Sequence, residues 1–116
     1  MDREDRGVLL LAAERAARLL LDDDDPVAVQ AERPKLLYTI PSFHNPTGVT
    51  MTLARRAAVL EICRKHGVLV VEDGYEEELR YAGDPIPPLA ALDGLAPVVY
   101  LGTFSKGLFP GLRLGY

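Results

Sequence analysis

Residues 35–48 read KLLYTIPSFHNPTG, and the fold turns on how this stretch is divided. Its first six residues, 35–40, form a short and nearly continuous apolar run, the pattern of a strand covered on both faces. The remainder is dense in Pro, Asn, Ser and Gly and reads as a loop. Downstream, a helix is expected over 50–66, with Leu53, Val59, Leu60 and Cys63 on a loose apolar stripe that Arg56 interrupts. Gly67 suits the left-handed position that ends such a helix. VLVVE (68–72) is a second buried strand, DGYEEELRYAGDPIPPL (73–89) a long loop, and PVVYLG (97–102) a third strand. Strand, helix, strand at this spacing predicts an α/β fold in which parallel strands are joined by crossovers.

In sheets of this kind a ligand lies beyond the carboxyl ends of the strands. Asn45 follows the first strand, Asp73 the second, and Thr103, Ser105 and Lys106 the third, so all three polar sets fall on one edge. Each has a plain structural alternative. Asn45 before Pro-Thr-Gly is a common turn former, and Asp73 after a strand suits a cap. Glu72 points to the face opposite Asp73, so the two are not a paired acid and base. Glu76, Glu77 and Glu78 read as a solvated face, His44 and His66 as too isolated for a metal site, and Cys63 as a small core residue.

The stretch GTFSKGLFPGLRLGY (102–116) is the sharpest signal. Lys106 is flanked by Ser105 and Gly107, with Arg113 seven residues on. A neighbouring guanidinium disfavours the protonated amine and favours the neutral nucleophile. Hydroxyls at Thr103 and Ser105 together with Arg113 resemble a phosphate cup, since arginine suits bidentate contact with phosphate oxygens. Gly107, Pro110 and Gly111 let the backbone approach closely. An amine for an aldehyde, donors for a phosphate and a carboxylate for a ring nitrogen point to pyridoxal 5'-phosphate.

PSFHNPTG, VVEDGYEEELRY and YLGTFSKGLFPGLRLGY resemble successive motifs of the class I/II aminotransferases of pyridoxal-phosphate fold type I. The nearest subgroup is the one holding 2-aminoadipate-type aminotransferases and the aminotransferase-like domains of MocR regulators. The resemblance covers residues 35–116 and implies part of the large, cofactor-binding domain: a layered αβα sandwich with a mostly parallel sheet. It implies that Arg113–Tyr116 adds a further, antiparallel strand. It also implies that Lys106 forms the Schiff base and moves the proton, and that Asp73 keeps the pyridine nitrogen protonated. By the same resemblance Asn45 and Tyr75 hydrogen-bond the ring's phenolic oxygen, while Thr103, Ser105 and Arg113 hold the phosphate. The implied activity passes an amino group between an amino acid and a 2-oxo acid, in amino acid metabolism, with the complete protein a homodimer. The alternative is an effector-sensing domain of a MocR/GntR-type transcription regulator.

Residues 1–34 resemble that family only weakly and are expected to form an N-terminal helix over 7–21 and an acidic loop at Asp22–Asp25. The family's earlier phosphate loop, its ring-stacking aromatic and its small C-terminal domain are not matched, so a partial large domain of marginal stability is expected. Over all 116 residues, 48% are hydrophobic and 26% charged, the balance of a globular domain. A net charge of −4 gives no reason to expect nucleic acid or a membrane as partner for this segment. The lone Cys63 permits no intrachain disulfide, and the start lacks the features of a signal peptide; both lead to a cytoplasmic expectation.

Overall fold

The computed structural model describes residues 35–75, 79–92 and 98–116. The readings of a helix over 7–21, of the loop Asp22–Asp25, of Glu76–Glu78 and of Pro97 fall outside the described residues.

Among the described residues three strands form the sheet: β1 (Leu36–Thr39), β2 (Leu69–Asp73) and β3 (Val98–Leu101), in the spatial order β1-β2-β3. Both pairings are parallel, with Leu37 opposite Val70 and Val70 opposite Val98. The parallel α/β arrangement expected from the strand spacing is therefore the one observed.

Between β1 and β2 runs helix α1 (Leu53–His66). It begins three residues later than the apolar pattern suggested, because Thr52 stays extended and its hydroxyl accepts the Arg55 N–H at 3.3 Å. It ends on Gly67, which adopts φ 66° and returns its N–H to the carbonyls of the last turn. A side chain there would be held in the disfavoured left-handed region, which is why glycine fits.

Alternation along the strands divides the sheet into two faces. Leu37, Thr39, Val70 and Glu72 are buried on the first, where Val59, Leu60 and Cys63 of α1 join Met51, Val68 and Leu89 in the core. Tyr38, Val99 and Leu101 lie on the second and keep 37%, 45% and 41% of their surface exposed. Cover on both faces was expected from the apolar runs; among the described residues only one face has it. An apolar run shows that a strand tolerates burial on both sides, not which sides its neighbours reach.

Among the described residues two charged side chains occupy the core. Arg56, read as an interruption of the apolar stripe, is fully buried and serves that stripe, while Leu53 at its end is exposed. Glu72 is fully buried as well, and its two oxygens accept the N–H groups of Leu89 at 2.7 Å and Ala90 at 2.8 Å. Those amides open the short helix α2 (Leu89–Leu92), so Glu72 caps an element seventeen residues downstream.

After β3 the chain makes the short helix α3 (Phe104–Gly107) and a 3-10 turn at Pro110–Leu112. The segment 113–116 then runs antiparallel to Gly102–Phe104. Gly102 and Tyr116 exchange N–H···O bonds of 2.7 and 3.0 Å, and Thr103 bridges Gly115. The direction matches the expected further strand, but the pairing is a bridge at the end of β3 and not a full strand. Gly102 permits it: a Cβ there would sit 2.3 Å from the Tyr116 ring. Among the described residues no helix is long and apolar enough to cross a membrane.

Candidate functional site

Parallel strands deliver their carboxyl ends to one edge, and the polar residues singled out above follow those ends. Asp73 closes β2 opposite Leu101, the last residue of β3, and the next amide, Gly74 N–H, donates to the Leu101 carbonyl at 2.9 Å. Thr103 comes two residues after Leu101. The acid and the Thr103–Lys106 turn thus leave adjacent strand ends side by side.

Asp73 is half-buried, on the face that Tyr38 shares, and the Tyr38 hydroxyl donates to its Oδ2. Partial burial, followed by the hydrogen bond and the negative charge of Asp73, pushes the Tyr38 phenol up to about 12. The phenol therefore stays a donor throughout the neutral range. Tyr38 was not among the residues picked from the sequence. The available signal was its phase: its register partner is Val71, and Asp73 shares the same face two residues on.

On the β1 side, the loop after the strand is closed by Met51 N–H to the Pro41 carbonyl at 2.7 Å, and within it His44 N–H reaches the Val49 carbonyl at 2.9 Å. Asn45 stands at the exposed tip, and Gly48 takes φ 70° to turn the chain back. Tyr75, just past β2, donates to the Phe43 carbonyl at 3.4 Å, two residues before Asn45. That contact draws the Asn45 loop and the Asp73 strand end together. Arg80 lies over the Phe43 ring, 5.0 Å from its centre, on the same loop.

On the β3 side, Thr103 Oγ1 accepts the Ser105 N–H at 3.1 Å and donates to the Leu114 carbonyl at 3.4 Å. One hydroxyl therefore fixes the start of α3 and holds the strand-like segment beside Arg113. Arg113 itself adopts φ 51°, a left-handed backbone that is uncommon outside glycine. Thr103 and Ser105 are half-buried, whereas Lys106 and Arg113 are exposed. The fold thus gathers Asp73, Tyr75, Thr103 and Ser105 around the ends of β2 and β3, with Asn45, Lys106 and Arg113 at the exposed tips of the flanking turns.

This donor set suits a ligand with a basic ring nitrogen, an electrophilic carbon and an anionic group. These groups follow the carboxyl ends of the three strands, and the motifs bearing them repeat in known proteins. Residues 17–116 match the family model for aminotransferase class I and II. The aromatic-amino-acid aminotransferase 1 of Thermococcus litoralis is 47% identical over 87 residues, covering 75% of this chain and 21% of that protein. The HTH-type transcriptional regulator TauR of Rhodobacter capsulatus is 42% identical over 110 residues, 92% of this chain and 23% of the regulator. Among solved structures, LysN, the alpha-aminoadipate aminotransferase of Thermus thermophilus complexed with N-(5'-phosphopyridoxyl)-L-leucine, superposes with a TM-score of 0.71 at 43% identity. That match covers 75% of this chain and 23% of the LysN chain. The chain spans about a fifth of the length of the curated relatives it matches.

Proposed function

The chain belongs to the class I and II aminotransferase family, and on that premise we propose that it is the cofactor-holding part of a pyridoxal-phosphate-dependent aminotransferase. The observation that carries the reading is the pairing of Asp73 with Leu101, which starts the acid and the Thr103–Lys106 turn from neighbouring strand ends. The family's chemistry needs a carboxylate and an amine around one ring, and a sheet edge bearing Asp73 and leading into Lys106 supports that reading.

Each residue then has a definite task. Lys106 would supply the primary amine that holds the cofactor and would hold the proton that moves to and from the substrate carbon. Asp73 would keep a proton on the ring nitrogen through one oxygen, while its Oδ2 accepts the Tyr38 hydroxyl. Asn45 would hydrogen-bond the ring's phenolic oxygen, and Tyr75 would join it on turning its O–H away from the Phe43 carbonyl. Ser105 would offer its hydroxyl and Arg113 its guanidinium to the phosphate, and Thr103 would join them on turning its O–H away from the Leu114 carbonyl. When bound, the cofactor supplies an electron sink that acidifies the substrate's carbon–hydrogen bond. The complete protein would use an amino acid and a 2-oxo acid as substrates, act as a homodimer and work in the cytoplasm.

A second reading draws on the similarity to TauR, which extends over 92% of the chain. By that reading the same edge binds the cofactor with an amino compound to shift a regulator's conformation, without turnover. Transfer of an amino group to a 2-oxo acid by the complete protein separates the two.

The direct test is to mix the chain with pyridoxal phosphate, reduce with borohydride and identify the modified peptide by mass. A label on Lys106 that disappears in Lys106→Ala is the expected result. A label spread over Lys35 and Lys65 would overturn the proposal.

A further inference from the structure

Arg56 sits in α1, in none of the site motifs, yet it is fully buried and its guanidinium makes five hydrogen bonds to described residues around it. Nε donates to the Met51 carbonyl at 3.1 Å. Nη2 donates to the Pro41 carbonyl at 3.3 Å and to Ser42 Oγ at 2.6 Å. Nη1 reaches the carbonyls of Pro87 at 2.9 Å and Ile86 at 3.4 Å. Pro41 and Met51 are the two ends of the loop that bears Asn45. One planar group therefore closes the base of that loop and ties it to the segment leading into α2.

A buried cation is costly unless its donors are matched, and here four backbone carbonyls and the Ser42 hydroxyl, from three separate stretches of the chain, accept them. Only a guanidinium, with five N–H donors in a rigid fan, can serve them together; an ammonium has three donors on one atom. Loop residues Pro41, Ser42 and Met51 are buried with Arg56, whereas residues 45–49 are exposed. The base is pinned and the tip is free to meet a ligand.

We infer that Arg56 is a positioning residue that sets where Asn45 stands relative to Asp73. The cofactor half of this inference rests on the function proposed above; the clamp does not. Without the guanidinium, the loop keeps its covalent ends but loses the group that fixes their separation and orientation. Asn45 then samples positions away from the ring oxygen it is proposed to hold.

Two measurements on the full chain test it, using Arg56→Lys so that the buried charge is retained. In hydrogen exchange without cofactor, the amides of Phe43, His44, Gly48 and Met51, each hydrogen-bonded within the loop, should exchange roughly tenfold faster while Val70 and Val71 hold. Acceleration spread equally over loop and β2, or none at all, would overturn the clamp. In the second, pyridoxal phosphate is added and the pH midpoint of its visible absorbance is read. Arg56→Lys should move the midpoint in the same direction as Asn45→Ala, with little further effect in the double variant. A midpoint that moves with Asn45→Ala and stays put with Arg56→Lys would overturn the positioning role. If the wild-type chain takes no pyridoxal phosphate on Lys106, the functional reading falls, and the exchange pattern alone decides the clamp.

Discussion

The Tyr38 hydroxyl donates to Asp73 across the β1–β2 pair, so one oxygen of the strand-end acid is held from inside the sheet. The other is the oxygen proposed to meet the ring nitrogen. Asp73→Asn removes the negative charge and the stronger acceptor. The Tyr38 phenol should then titrate below its position near 12 and closer to the ordinary 10. Tyrosine-labelled NMR titration of the two proteins reads this directly, and an unchanged midpoint would mean that the two side chains are not joined in solution.

Glu72 fills both of its oxygens with the N–H groups of Leu89 and Ala90. Glu72→Ala strands two amides beside a cavity and should cost about 3 kcal/mol in urea unfolding. Glu72→Gln keeps one acceptor and should recover part of that loss. Equal stability of all three proteins would show that α2 is capped by water.

Gly74 follows Asp73 directly, and a Cβ at this position would lie 2.1 Å from the Tyr100 hydroxyl oxygen. Gly74→Ala must push the Tyr100 ring aside, at a cost of about 2 kcal/mol. In a double-mutant cycle with Tyr100→Ala the substitution should become nearly harmless. Additive effects would place the strain in the backbone instead of the ring.

Cys63 is buried, and burial pushes its thiol up from 9 to about 11. Between those values the folded chain holds a proton that the unfolded chain has released. The resulting stability is complete below pH 9 and is lost as the pH rises through about 11. A disulfide reagent at pH 8 should modify Cys63 no faster than the chain opens, and Cys63→Ala should flatten the alkaline fall in thermal midpoint. Rapid modification of the folded protein would contradict the burial.

Much of this arrangement was legible in the sequence, for local reasons. Apolar runs, a glycine at a helix end and strand–helix–strand spacing are short-range signals, and they located β1, α1, β2 and β3. The edge that carries the candidate site followed from topology alone, since parallel strands must end together. What escaped were contacts made at a distance. Arg56 looks like a flaw in an amphipathic pattern until carbonyls from 41, 51, 86 and 87 surround it. Glu72 looks idle until a helix seventeen residues on supplies its donors. Tyr38 reads as one more apolar strand residue, because its hydroxyl matters only once β1 lies against β2.

Adjacent acids on the middle strand face opposite ways, Glu72 into the interior and Asp73 onto the other face. Sliding that strand by a single position would turn both acids onto the wrong faces, setting Val71 at the cap of α2 in one direction and Gly74 at the edge in the other. Insertions and deletions inside β2 are therefore forbidden twice over, and such a frame error would surface as a folding failure before it could surface as a faulty site.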